Sequence, residues 1–422
     1  MYTKTVLENG ITVITHRMPK MQSVALGIWI KVGGRYESVE NKGISHYLEH
    51  LLFKGSKKYS CQEIKESIEG VGGALNGFTS EEATCYLVKL PSRHWDLAFD
   101  ILSDMVANPL LLKNDIQKEQ TVILEEIKMY KDLPQSYVYD LLDELMWPGQ
   151  ALGMSVLGSV ESVSRVDRKG LSWFKQNHYG PSNIVISAAG LLEHDVLLKR
   201  VKKVFLGQSG TQKNQCAEAL QQQTRSHVKL YPKETEQTHV ALGFHSFKRG
   251  HPLKHAVGLL HVILGGNMSS RLFNELREKR GLAYEIGTQV KRFQDTGAFV
   301  VHAGIDNKKV NEALVLIIKE LKRIRHALVS DDEFRRAKEF YLGQLMLALE
   351  DTLDHMLWIG ESTLAMDKTY TLEDVFKEVR QVKRQDILQA AQEIFQQRCL
   401  NLALIGPGKD QEADLLKKIQ LG

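Results

Sequence analysis

Cysteine is scarce in this chain: Cys61, Cys85, Cys216 and Cys399 are all there are among 422 residues. They lie far apart with no C-x-x-C spacing, which argues against a cysteine zinc site and a disulfide framework and fits reduced thiols. Apolar runs long enough to span a bilayer are absent, so no membrane segment is expected. The opening "MYTKTVLENGITVITHR" lacks the apolar stretch of a secretion signal, and a cytoplasmic location is the expectation. An excess of one charge is missing too. Fifty-five basic residues face 51 acidic ones, a net charge of +4, and no dense Lys/Arg block exists, so nucleic acid is not an expected partner.

What is present is an ordinary globular composition, 43% hydrophobic and 25% charged. The length exceeds what one core fills and suits two domains of about 200 residues each. Asn9-Gly10 is a turn signal between strand-like runs. In "SVALGIWIKVGG", Val24, Leu26, Ile28 and Ile30 alternate as in a half-buried strand. Ala83 to Leu90 and Asn183 to Gly190 are further strand candidates, and Gly43–Phe53 and Asp115–Met129 have helical spacing. Strands and helices in this mixture predict an α+β fold, with sheets layered against helices.

The order repeats. "VALG" occurs at Val24 and again at Val240, and "VDRKGLSWF" from Val166 resembles "VKRQDILQA" from Val382, both 216 residues apart (240 − 24; 382 − 166). "NIVISAAG" from Asn183 resembles "NLALIGPG" from Asn401, 218 apart (401 − 183). Three matches in one order at a nearly constant offset argue for an internal duplication. The expected division is an N-terminal domain 1–212, a linker 213–228 and a C-terminal domain 229–422, the join lying in the Gln/Ser/Gly-rich stretch 206–227.

The stretch carrying chemistry is "GISHYLEHLLFKGS", Gly43 to Ser56. On a helix His46 and His50 share a face, so two imidazoles could grip one cation. Glu49 lies beside the same cation, adjacent to His50. It is better placed to take a proton from water than to be a third equal ligand. A surface helix bearing two histidines would read the same way. A catalytic zinc needs a third protein ligand, and the run Asp115 to Pro134 offers Glu119, Glu125 and Glu126. Seven residues make nearly two turns, which groups Glu119 with Glu126 and turns Glu125 away by about 100°. Helix geometry does not say that this helix faces the first.

"HYLEHLLFKGS", "GGALNGFTSEEATCY" and "KEQTVILEEIKMYKDLP" together resemble the pitrilysin and mitochondrial-processing-peptidase superfamily of zinc peptidases, in its short bacterial branch. The resemblance covers nearly the whole chain. It implies two homologous domains, each a mainly antiparallel sheet covered by helices. It implies one Zn2+ per chain held by His46, His50 and Glu126, with Glu49 as general base and Glu119 supporting the site. Manganese or cobalt would suit the same ligands. "GGALNGFTS" resembles the family's edge strand, which binds extended peptide by β-addition. Asn76 matches the family's asparagine there, whereas Gly77 stands where alanine is usual. A tight turn is the competing reading of Gly72 and Gly73. Phe53 is a candidate for the subsite beside the cleaved bond, with core packing as its alternative.

The second half has lost the histidine motif: His255 and His261 are not in H-x-x-E-H order, and Glu126 falls opposite Gly343 or its neighbour. "SSRLFNELREKRGLAYEIGT" resembles the family's Arg/Tyr motif, with Arg277 and Tyr284 seven apart (284 − 277). The resemblance implies that Tyr284 stabilises the tetrahedral intermediate and Arg277 holds a substrate carbonyl; the residues alone read as a solvated charged helix. It also implies a homodimer acting on short or unfolded peptides, each site completed by the partner's C-terminal domain. The alternatives are a non-catalytic scaffold or partner subunit of a heterodimeric peptidase, and a metal-dependent hydrolase of non-peptide substrates.

Overall fold

The computed structural model describes residues 2–209, 212–366, 369–408 and 412–421. Residues 210 and 211, inside the expected join, lie outside the described residues. Two sheets carry the fold. The first contains β1 (Tyr2–Val6), β2 (Thr12–Arg17), β3 (Ser23–Ile30), β4 (Ala74–Thr79), β5 (Thr84–Pro91) and β6 (Ile184–Gly190). Their order is β1-β2-β6-β3-β5-β4, antiparallel except for β2 with β6. The second contains β7 (His227–Pro232), β8 (Gln237–Ser246), β9 (Ala283–Arg292), β10 (Gly297–Asp306) and β11 (Leu400–Gly406). Its order, β7-β11-β8-β10-β9, repeats that of β2-β6-β3-β5-β4, including the single parallel pair.

This shared topology is what a duplicated α+β unit requires. Helices Arg168–His178 and Arg384–Ile394 begin 216 residues apart (384 − 168), as the sequence match has it. The strands β6 and β11 also begin 216 apart (400 − 184). The letter match from Asn183 to Asn401, at 218, is two residues out of step with them. A two-residue slip keeps every side chain on its face, so periodicity alone does not detect it.

β3 departs from the half-buried expectation. Val24, Leu26, Ile28 and Ile30 enter one core with the histidine-bearing helix, while Ala25 and Trp29 enter another on the opposite face. That second face is covered by helix Thr352–Met366 through Met356, Ile359 and Leu364, a segment from the far half of the sequence. The second sheet is served in reverse. Helix Pro134–Met146 supplies Val138, Leu141, Leu142 and Met146 against Ala241, Ala298 and Val300. Each buried side chain of this size contributes about 1.5–3 kcal/mol, so neither sheet face is stable bare.

Compactness therefore divides the chain differently from the contiguous expectation of 1–212, 213–228 and 229–422. One unit comprises Met1–Lys128, Ser155–Ala217 and Met346–Leu372, and the other Met129–Met154, Glu218–Leu345 and Glu373–Gly422. The duplication sets the order of elements, whereas the apolar sheet faces decide which helix joins which sheet. The stretch 212–226 has no helix or strand but is fastened by amides. Within the first unit, Asn214 N bonds Asn183 Oδ1 at 2.6 Å and Asn214 Nδ2 donates to Lys31 O at 2.9 Å. Within the second, Leu220 N donates to Gln150 Oε1 at 2.7 Å.

Candidate metal centre

The site begins with helix Ile44–Leu52 in the first unit. Gly43 starts it at φ +92°, in the left-handed region, where a Cβ would also lie 2.5 Å from Leu157 O. Two of the helix's orphan N–H groups are satisfied by one buried carboxylate: Glu37 accepts from Gly43 N at 2.8 Å and from Ser45 N at 2.7 Å. Ile44, Tyr47, Leu48, Leu51 and Leu52 fill the core, which turns His46, Glu49 and His50 together away from it.

The helix that carries the glutamates, Lys113–Asp132, does face this one. Ile116, Ile123 and Ile127 anchor it in the same core. The Tyr47 hydroxyl donates to Ile116 O at 2.5 Å, tying the two helices in register. His46 and His50 stand with ring centres 4.6 Å apart. Glu126 Oε2 lies 3.8 Å from His46 Nε2 and 3.7 Å from His50 Nε2. These separations are too long for hydrogen bonds, and slightly wider than the ~3.4 Å between two ligands of one tetrahedral zinc. One ligand atom from each of the three residues falls within 4.8 Å of the others.

The electrostatics favour a cation. Burial, with the neighbouring His50 adding to it, pushes His46 down to about 3, so its ring is neutral and can offer a nitrogen lone pair. Glu119 is buried and takes His50 Nδ1 at 3.1 Å. A carboxylate only accepts, so Nδ1 carries a proton, and Nε2 is the nitrogen turned toward Glu126. Two imidazole nitrogens and one carboxylate oxygen are a donor set that zinc takes. Glu125 is exposed and paired with Lys128 at 2.6 Å, outside the cluster.

Glu49 is buried beside these groups and accepts from Thr79 Oγ1 at 2.7 Å. Burial raises its pKa, with the Glu126 charge adding; the Thr79 bond and His50 partly oppose this. β4, which carries Thr79, is a sheet edge with β5 as its one neighbour. Asn76 is exposed on it, its Oδ1 taken by Gly77 N at 2.8 Å. A Cβ at Gly77 would lie 3.0 Å from the Phe53 ring and 3.2 Å from Glu49 Oε1, so the glycine lets strand, ring and carboxylate close up. Phe53 is half-buried, packed on the core as well as on this strand. Gly72, at φ +77°, and Gly73 belong to the turn before β4, as the competing reading held.

In the second unit, Arg277 and Tyr284 are close to each other. Arg277 leaves a π-helical stretch, Phe273–Glu278, and its guanidinium lies 4.8 Å from the Phe273 ring centre and 5.3 Å from that of Tyr284. Tyr284 is the second residue of the edge strand β9 and is 74% exposed. Arg280 is engaged by Glu275. His255 bonds Glu378 at 2.9 Å and His261 bonds Thr288 at 2.7 Å. Among the described residues, His46, His50 and Glu126 are the one cluster of this metal-binding kind.

Sequence reasoning missed three residues: Glu37, Thr79 and Lys54, whose Nζ lies 2.6 Å from Glu119 Oε1. Lys54 follows His50 by four positions, a helical spacing that could have flagged it. Period 2 along β4 puts Thr79 on the face of Gly77, a weaker signal. Nothing local marks Glu37.

A two-fold repeated α+β chain with an inverted histidine pair and a distant glutamate defines a class: metallopeptidase-like proteins of duplicated fold. Residues 12–160 match the family model described as insulinase (peptidase family M16), and residues 165–341 match the peptidase M16 inactive domain. The chain is 36% identical over 420 residues to a Streptomyces coelicolor protein, covering 98% of this chain and 91% of that one. It is 34% identical over 407 residues to YmxG of Bacillus subtilis, covering 96% and 98%. Both relatives carry the name uncharacterized zinc protease. A Helicobacter pylori protease of solved structure matches at TM-score 0.89 and 21% identity, covering 96% of this chain and 99% of that one. A Pseudomonas fluorescens structure described as a peptidase M16 inactive domain matches at 0.87 and 17%, covering 97% and 98%. The chain belongs to peptidase family M16, in the branch of short zinc-protease-like proteins. No helix among the described residues is long and apolar enough to cross a membrane.

Proposed function

We propose that this chain is a zinc-dependent endopeptidase that cleaves short or unfolded peptides in the cytoplasm. The observation that carries the reading is the convergence of His46, His50 and Glu126 with buried Glu49 beside them, next to the free edge of β4. His46, His50 and Glu126 would hold one Zn2+ per chain. Zinc bound there supplies Lewis acidity, polarising the scissile carbonyl and lowering the pKa of water toward ~7.

The chain's own groups do the rest. An extended peptide adds to β4 through backbone hydrogen bonds, with Asn76 and Phe53 beside the scissile bond. Glu49, held by Thr79, takes a proton from the attacking water and delivers it to the departing amine. Tyr284 donates to the oxyanion of the tetrahedral intermediate and Arg277 holds a neighbouring carbonyl. We assign these two to the partner subunit in a homodimer with two sites, because each chain carries one zinc set and one Arg/Tyr pair. The contiguous domains 1–212 and 229–422 remain our evolutionary division of the chain.

The test is Glu49→Gln. Zinc content near one per chain with peptide cleavage reduced by about 10²–10⁴ supports the reading. Unchanged cleavage overturns Glu49 as base, and an absence of zinc in the parent overturns the metal site. Mixing inactive Glu49→Gln and Tyr284→Phe chains under subunit exchange tests the shared site. Partial recovery is expected, and none after proven exchange refutes it.

A further inference from the structure

The two histidines of the centre are held unequally. His46 Nδ1 is buried with no hydrogen-bond partner. His50 Nδ1 is fastened to Glu119 Oε2 at 3.1 Å, and the other oxygen of that carboxylate receives Lys54 Nζ at 2.6 Å. Glu119 is thus a buried carboxylate with both oxygens engaged, one by a ligand and one by a cation. Lys54 follows the helix end, yet Lys54 N still donates to Leu51 O at 3.0 Å. The turn therefore continues and returns Lys54 to the His50 side, four positions on. The lysine side chain is only 31% exposed, so the pair is largely shielded from water.

We propose that Lys54 is a positioning residue of the metal centre, fixing the tautomer and ring orientation of His50 through Glu119. The proposal rests on reading His46, His50 and Glu126 as the metal site. A buried carboxylate needs its charge compensated, and Lys54 does this at the oxygen His50 does not use. With Lys54 in place, Glu119 is not free to turn away or to compete with Glu126 as a ligand. The proton stays on His50 Nδ1 and the lone pair on Nε2. The role is structural in its contacts and chemical in its consequence: it sets which nitrogen meets the metal. His46 has no such support, so His50 is the ligand whose geometry is enforced.

The experiment is zinc affinity of the full chain by competition with a chromophoric chelator, read beside the imidazole nitrogen NMR of the zinc-free chain. Lys54→Met should weaken zinc by about 10–100-fold, the usual loss for such supporting groups. It should also abolish the single Nδ1–H tautomer of His50. Lys54→Arg, which keeps a cation on the carboxylate, should retain most of both. Lys57→Met, at an exposed neighbouring position, should change neither. In a Glu119→Gln background, Lys54→Met should cost little more, because the lysine acts through that carboxylate. Parent affinity in Lys54→Met, or a full extra loss in the double variant, overturns the proposal while leaving the metal site standing. A parent that binds no zinc overturns the metal reading itself, and the proposal with it.

Discussion

The same two-helix arrangement occurs in both units, with opposite contents. In the first, helices Ile44–Leu52 and Lys113–Asp132 bring two histidines and two glutamates together. In the second, helices Lys254–Leu264 and Asp331–Ala348 meet through Gly258 and Tyr341, where a Cβ on the glycine would sit 2.8 Å from the ring. His255 and His261 lie on the first of these helices and bond Glu378 and Thr288. The cores are apolar in both units, and the cluster of two histidines and a glutamate is found in the first.

The sharpest way to break this comparison is to remove one histidine from each unit. His50→Ala should lose zinc and cleavage altogether, whereas His261→Ala should leave zinc content near that of the parent; metal analysis of purified protein decides. If both variants lose zinc, the asymmetry is wrong. Next in size, Tyr284→Phe should lower kcat by about 10²–10³ with zinc retained, as removal of one oxyanion donor does. A drop confined to KM would make Tyr284 a binding residue instead.

The exchanged helices should behave alike. Ile359→Ala in the helix on the first sheet and Leu142→Ala in the helix on the second should each destabilise by about 2–5 kcal/mol in urea unfolding. A loss in only one would show that the two crossings are not equivalent.

The smallest expected effect is on acid sensitivity. Burial, helped by Arg292 and His302, pushes His261 down to about 4 from its ordinary 6.5. Burial does the same to His245, also to about 4, and burial with His50 takes His46 to about 3. A histidine depressed in the folded state stabilises above its unfolded value, and that contribution drains away as pH falls from 6.5 toward the folded value. The zinc-free chain should therefore lose stability from pH ~6.5 down to ~4, with His46 continuing lower, and His261→Gln should flatten the slope over that window. An unchanged slope in thermal melts would remove His261 from the account.

Much of this was legible because it is local. The i, i+4 spacing of His46 and His50, the seven residues from Glu119 to Glu126, and the alternation through β3 are each fixed by one element's own period. The Arg277–Tyr284 contact was also within reach, being short in sequence. What was not legible spans long separations. Tyr47 meets Ile116, and Glu37 meets the start of the histidine helix, only because separate apolar faces pack. The exchange of helices Pro134–Met146 and Thr352–Met366 was invisible for the same reason. An amphipathic helix declares that it needs a sheet, not which sheet.

By itself the sequence determined the residue types of the candidate metal cluster, the helix that presents two of them, the repeated order of elements and the absence of the H-x-x-E-H motif from the second half. Backbone periodicity and residue identity suffice for those. The tertiary structure decided that Glu126 closes on the histidines, that Thr79 holds Glu49 and that Lys54 completes the support of His50. Such contacts are set to within a few tenths of an ångström by close packing of side chains from separate elements. No local pattern encodes that fit, because it belongs to the whole core at once.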